Sequence, residues 1–224
     1  MTMNKLREII DELKTVLSGS TIDALLPPLV FLIINNIFGI TAAVVSALIL
    51  SLALGIKRIL NKESWKYALS GFIIVSLAAG LALITKNASN YFIGGAVGSG
   101  MFFLLTVISL VIGKPMAAYA SHLSRGWPLD WFWRKDVKPA YKEVTIFWAL
   151  FFLMRMAVQI NLILKANPDQ LVWANTLLGW PVTLIILISS YIYGTWRLKN
   201  LKGPGVDEYI EGKEPPWEGQ KKGF

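Results

Sequence analysis

The 224-residue chain is 54% hydrophobic and only 16% charged, with a mean hydropathy of +0.53, which is too apolar for a water-soluble domain with a hydrated surface. The absence of cysteine excludes disulfides, thiolate metal sites and cysteine nucleophiles, and the single histidine, His122, excludes a bis-histidine haem site within one chain. The net charge of +8 follows the positive-inside pattern of membrane proteins rather than a nucleic-acid footprint, because the basic residues cluster beside apolar runs.

Residues 3 to 18 place Leu6, Ile9, Ile10, Leu13, Val16 and Leu17 on one helical stripe, with charges of both signs elsewhere. The spacing predicts an amphipathic interfacial helix over residues 1–20, packed on the protein's own face or docking a partner. The Met1 end has neither the compact apolar core nor the small-residue cleavage site of a signal peptide, so insertion is expected to use internal spans. The first two spans are expected at about 22–37, opening near Pro27-Pro28, and 41–56, with a tight turn near Phe38-Gly39.

After the basic loop with Lys57, Arg58, Lys62 and Lys66, a third span is expected at about 67–85 and a fourth at about 91–113. The fourth carries Gly94 and Gly98, a small-xxx-small pair that would let another backbone approach, within the chain or in a homo-oligomer. Residues 114–141 mix basic side chains with Trp127, Trp131, Phe132 and Trp133. Aromatic and basic residues beside spans read first as interface anchors, and no nucleic-acid partner is expected. The fifth and sixth spans are expected at about 142–164 and 171–196. Residues 199–224 form a tail whose prolines, glycines and mixed charges from 203 onward predict a disordered or partner-ordered segment.

This pattern predicts an all-α polytopic membrane protein, with residues 21–198 as six transmembrane helices in three hairpins. Lys and Arg number three, four, six and six in the N-terminal segment, the second-to-third loop, the fourth-to-fifth loop and the tail, against two, Lys86 and Lys165, on the other side. Both termini are therefore expected in the cytoplasm, N-in and C-in.

Arg155 is the one basic residue that neither side accounts for. An arginine at mid-membrane costs at least about 2.5–3.5 kcal/mol, so some interaction must offset it. Gln159 lies one turn further along the same face, and Asn35, Asn36, Asn161 and Asn175 lie at similar depth. The candidate binding residues are thus Arg155, Gln159, Asn35, Asn36, Asn161 and Asn175. In one reading amides and carbonyls satisfy the guanidinium structurally; in the other Arg155 receives an anionic small solute or a lipid headgroup, since its fork suits carboxylate and phosphate. No carboxylate falls in mid-span, and no Walker loop, GxSxG or HExxH is present, so enzymatic chemistry, cofactors and metals are not expected.

Leu26-Pro27 with Val30-Phe31, Ser70-Gly71, Tyr91-Phe92 with Gly94, Lys114-Pro115, Ala140-Tyr141, Trp148, Arg155 with Val158-Gln159, and Gly179-Trp180-Pro181 together carry a family resemblance. Over roughly residues 18–195 the chain resembles a bacterial family of six-span membrane proteins catalogued as domain of unknown function 3159. That resemblance implies the six-span topology and, with the charge pattern, a bacterial inner-membrane location, and it brings no catalytic residues. Pro28-Leu29-Val30-Phe31, Lys114-Pro115 and Trp148-Ala149 with Phe151-Phe152 are similar to intracellular septation protein A, which implies an envelope or division scaffold. The leading expectation is permeation of a small solute or anion. The alternative is a non-catalytic scaffold acting through residues 1–20, the aromatic loop and residues 199–224.

Overall fold

The computed structural model describes residues 19–224, with side chains from Leu26 onward except Tyr67; the expected amphipathic helix at residues 1–20 lies almost wholly outside them. The described residues are helical, with no strand among them. In chain order the helices are α1 (Gly19–Phe38), α2 (Ile40–Leu60), α3 (Trp65–Thr85), a 3-10 turn (Ala88–Phe92), α4 (Ile93–Val111), α5 (Met116–Arg125), α6 (Leu129–Phe132), α7 (Lys138–Leu164), α8 (Pro168–Leu177), α9 (Trp180–Leu201) and α10 (Val206–Ile210).

Among the described residues, five stretches are long and apolar enough to cross a membrane: Ile40–Leu60, Ala68–Thr85, Ala88–Val111, Lys138–Leu164 and Pro168–Leu201; Leu26–Phe38 is a shorter apolar helix. Lipid exposure explains why Ile49, Ile74, Leu104 and Ile188 face outward from these helices, since a spanning helix needs no polar face. The chain is therefore a multi-pass membrane protein.

The described residues form two compact units, one of residues 19–94 and 161–176, the other of residues 95–160 and 177–224. In the first, Gly39 (φ 81°) turns α1 directly into α2, a left-handed position that suits glycine. α1 runs through Pro27 and Pro28, so the prolines are interior to the helix rather than near its start; membrane helices tolerate this because neighbouring groups satisfy the freed carbonyls. The core of this unit sets Phe31 against Tyr91 (4.2 Å, stacked) and Phe92, beside fully buried Ala43, Ala47, Ala79 and Ala82. Small residues at these positions let α2 and α3 approach closely, which supplies the dispersion contacts that hold helices together in lipid.

In the second unit the expected interface aromatics are instead core. Trp131 and Phe132 have no exposed surface and Trp127 is buried, packed with Val137, Tyr141, Val144 and Leu198. Their ring edges and faces meet at centroid distances of 4.8–6.3 Å, the geometry that aromatic quadrupoles favour. The start of α5, whose first N–H groups lack partners within the helix, is pinned from two sides: Met116 N–H donates to Ser109 Oγ (3.0 Å) and Ala117 N–H to Thr145 Oγ1 (3.1 Å). His122 Nδ1 lies 2.6 Å from the Trp127 carbonyl, so this nitrogen carries the proton. It is a structural tie rather than a free surface residue.

Residues 203–224, whose composition predicts a disordered or partner-ordered segment, are folded against the chain's own second unit. Trp131 Nε1 donates to the Pro204 carbonyl (3.0 Å), Val206 N–H to Gln220 Oε1 (3.1 Å) and Arg125 Nη1 to the Lys222 carbonyl (2.7 Å). Phe224 is buried and stacked on Tyr141 at 4.2 Å. Glu208 ties this strap together by accepting the N–H groups of Gly205 (2.8 Å), Glu218 (2.8 Å) and Gly219 (3.0 Å). The first of these is the reach-back half of a helix capping box.

These three backbone donors stabilise the Glu208 carboxylate and lower its pKa from the ordinary 4.5. A lowered folded value means the stabilisation is complete above the ordinary range and is lost as pH falls through the folded value. Hydrogen exchange at the Gly205, Glu218 and Gly219 amides should therefore show full protection near neutrality and release in acid. Glu208→Gln should weaken that protection at neutral pH and abolish its acid dependence.

Candidate functional site

Arg155 sits within α7 in the run Phe152-Leu153-Met154-Arg155-Met156-Ala157-Val158-Gln159. Its Nε is buried and has no hydrogen-bond partner among the described residues, and no carboxylate among them forms an ion pair with it. Gln159, one turn on, has no exposed surface. Its Oε1 lies 2.8 Å from Ser99 Oγ, which also lies 3.0 Å from the Gly95 carbonyl of its own helix. Both neighbours are acceptor oxygens for the one hydroxyl proton, which Ser99 places between its own helix α4 and α7 at the depth of Gln159.

The same contact zone shows where close approach occurs. A methyl group built on Gly100 would meet Met156 Sδ at 3.1 Å, whereas one on Gly94 or Gly98 would meet nothing within 4 Å. Gly100, rather than the expected Gly94 and Gly98 pair, is the glycine that α7 packs against. Phe102 and Phe152 stack at 5.1 Å two residues deeper along α4.

Of the six candidate residues, Arg155 and Gln159 belong to the second unit, and Asn35, Asn36, Asn161 and Asn175 to the first. In the first unit Asn36 Nδ2 donates to Asp169 Oδ1 (2.9 Å), which brings a carboxylate from the start of α8 to the end of α1. Asn35 is half-buried with its carbonyl accepting Gly39 N–H, Asn161 is exposed with its carbonyl accepting Lys165 N–H, and Asn175 is half-buried. Ser99 and Asp169 are the polar residues that sequence reasoning missed. Ser99 was legible as the one hydroxyl in the run Gly94 to Gly100, while the link of Asp169 to Asn36 spans 133 residues.

The Pro168–Leu201 stretch, which contains the expected sixth span at 171–196, comprises two helices. Helix α8 ends at Leu177 and α9 begins at Trp180, with Gly179 (φ −75°, ψ −127°) between them. Pro181 cannot donate a hydrogen bond back into a preceding turn and suits the first turn of a new helix, so Gly179-Trp180-Pro181 starts α9 afresh. The division between the two units falls after Thr176, at the end of α8.

A second polar group joins α7 to α9. Glu143 accepts Arg197 through both oxygens (2.8 and 3.0 Å) and Tyr193 OH (2.7 Å), a bidentate fork that fixes orientation as well as charge. Elsewhere in this unit a cavity of about 470 Å³ is lined by α4, α5, α7, α9 and Phe224, with Arg125 its sole charged side chain. Arg155 is not among its lining residues. No group of three or more His, Cys, Asp or Glu able to hold a metal is found among the described residues.

No curated protein and no solved structure matches the chain. The family model described as Protein of unknown function (DUF3159) matches residues 18–198, which cover most of the chain, and the protein therefore belongs to that family.

Proposed function

We propose that this protein is a permeation protein for a small anionic solute, built of six spans in three hairpins with both termini on the cytoplasmic side of a bacterial cell membrane. The observation that carries the reading is Arg155: a guanidinium within an apolar span, with a buried Nε that has no hydrogen-bond partner among the described residues and a fully buried amide one turn away. A cation held in a membrane without a counter-ion is retained at a cost of several kcal/mol, a cost that selection for a passing anion would offset.

The scaffold alternative draws on the aromatic loop and the tail as contact surfaces. Both are largely committed to each other through Trp131, Pro204, Tyr141 and Phe224, which favours permeation.

The test is anion efflux from liposomes containing the purified protein, using halide, nitrate and small carboxylates. The parent should raise efflux above empty liposomes. Arg155→Gln should reduce it at least about tenfold, the equivalent of about 1.4 kcal/mol, with insertion unchanged. Full efflux in Arg155→Gln, or none in the parent for any anion, would sink the reading.

A further inference from the structure

The cavity in the second unit has walls of hydrocarbon and one cationic rim. Phe102, Trp148, Phe152, Leu187 and Phe224 line it with the inner face of α5. Of the six lining hydroxyls, four spend their protons on nearby carbonyls, Ser124 Oγ on that of Ser121 (3.3 Å) among them. Thr106 Oγ1 donates to the Phe103 carbonyl (2.7 Å), Thr145 Oγ1 to Tyr141 (2.7 Å) and Ser190 Oγ to Leu187 (2.9 Å). Apart from the Ser121 and Tyr191 hydroxyls, the walls therefore offer a guest few donors, and what fills most of the space must be apolar. Because the lining follows α5 from Met116 to Arg125, the space extends on the order of 15 Å, the length of a ten-residue helix at 1.5 Å per residue.

Arg125 gives this space a polarity. It is exposed, its guanidinium stacks on Trp127 at 4.6 Å and lies 5.9 Å from the Tyr191 ring, and Nη1 donates to the Lys222 carbonyl. No carboxylate side chain among the described residues pairs with it. A positioned fork with uncommitted N–H groups at the mouth of an apolar space matches one chemistry: a phosphate attached to an alkyl chain. The surrounding bilayer supplies that chemistry at high local concentration.

We propose that this cavity is a binding site for an anionic phospholipid, with one acyl chain among Phe102, Trp148 and Phe152 and the phosphate on Arg125. The site is independent of Arg155 and of any permeation activity.

Trp148 is a reporter already in place. The full-length protein is placed in nanodiscs of phosphatidylcholine containing a minor fraction of either phosphatidylglycerol or phosphatidylcholine brominated on the acyl chain. The Trp148 signal is the difference between parent and Trp148→Phe. Brominated phosphatidylglycerol should quench it about fivefold more effectively than brominated phosphatidylcholine, the preference expected of one basic residue near a membrane surface. Arg125→Gln should bring the two lipids to parity with helical circular dichroism unchanged. Ala120→Leu, which narrows the cavity without touching the rim, should reduce quenching by both. Equal quenching in the parent, a preference that survives Arg125→Gln, or stronger quenching by a brominated free fatty acid than by brominated phosphatidylglycerol would each overturn the proposal.

Discussion

Replacing Trp131 by alanine is expected to destabilise the second unit by about 3–5 kcal/mol, the range for emptying a fully buried Trp site. Trp131 has no exposed surface and meets Trp127, Phe132 and Tyr141 edge to face. It also holds the Pro204 carbonyl through Nε1, so alanine leaves both a void and an unpaired buried acceptor. Trp131→Phe separates the two effects: it keeps most of the ring packing and loses the hydrogen bond, and should cost about 1 kcal/mol for the bond plus the void of the smaller ring. Urea unfolding in detergent followed by near-ultraviolet circular dichroism reads both. If Trp131 served as an interface anchor, the alanine variant would unfold at the parent's midpoint, within error.

The contrast between anchor and core explains what was legible in the sequence. Spanning helices were legible because their hydropathy is local: Ile40–Leu60, Ala68–Thr85 and Lys138–Leu164 each satisfy their own backbone and need no distant partner. The aromatic segment and the strap were not legible because their meaning depends on contacts 73, 83 and 97 residues apart, from Trp131 to Pro204, Tyr141 to Phe224 and Arg125 to Lys222. Glycines that read as disorder signals are steric requirements. A methyl group on Gly203 would come within 2.7 Å of the Asp136 carbonyl oxygen, and one on Gly205 within 2.6 Å of that of Gly219. At the candidate site the cost of Arg155 was legible from its neighbours in sequence, as was Gln159 one turn away. The Ser99 contact and the Asn36 pairing with Asp169 required the fold.

The second large effect is expected at Gly194. Its place on α9 is occupied on the outside by the Phe224 ring, and a methyl group there would overlap three ring carbons. Gly194 is therefore the floor of the Phe224 pocket, and Gly194→Ala should expel the ring while leaving α9 helical, since alanine is the better helix former. What is lost is the burial of one Phe, about 1.5–3 kcal/mol, and its stack on Tyr141, about 0.5–1.5 kcal/mol. Because the alanine strengthens the helix, the loss should be local: faster amide exchange and proteolytic cutting within residues 203–224, with α4, α7 and α9 as protected as in the parent. Phe224→Ala should reproduce the release of the strap. A smaller residue at Phe224 should then make Gly194→Ala harmless, a coupling that a double-mutant cycle reads directly. Phe224 also forms part of the cavity wall and Lys222 holds Arg125, so releasing the strap should loosen the Arg125 rim as well. The phosphatidylglycerol preference at Trp148 should fall in Gly194→Ala although neither Arg125 nor any other lining side chain has been changed.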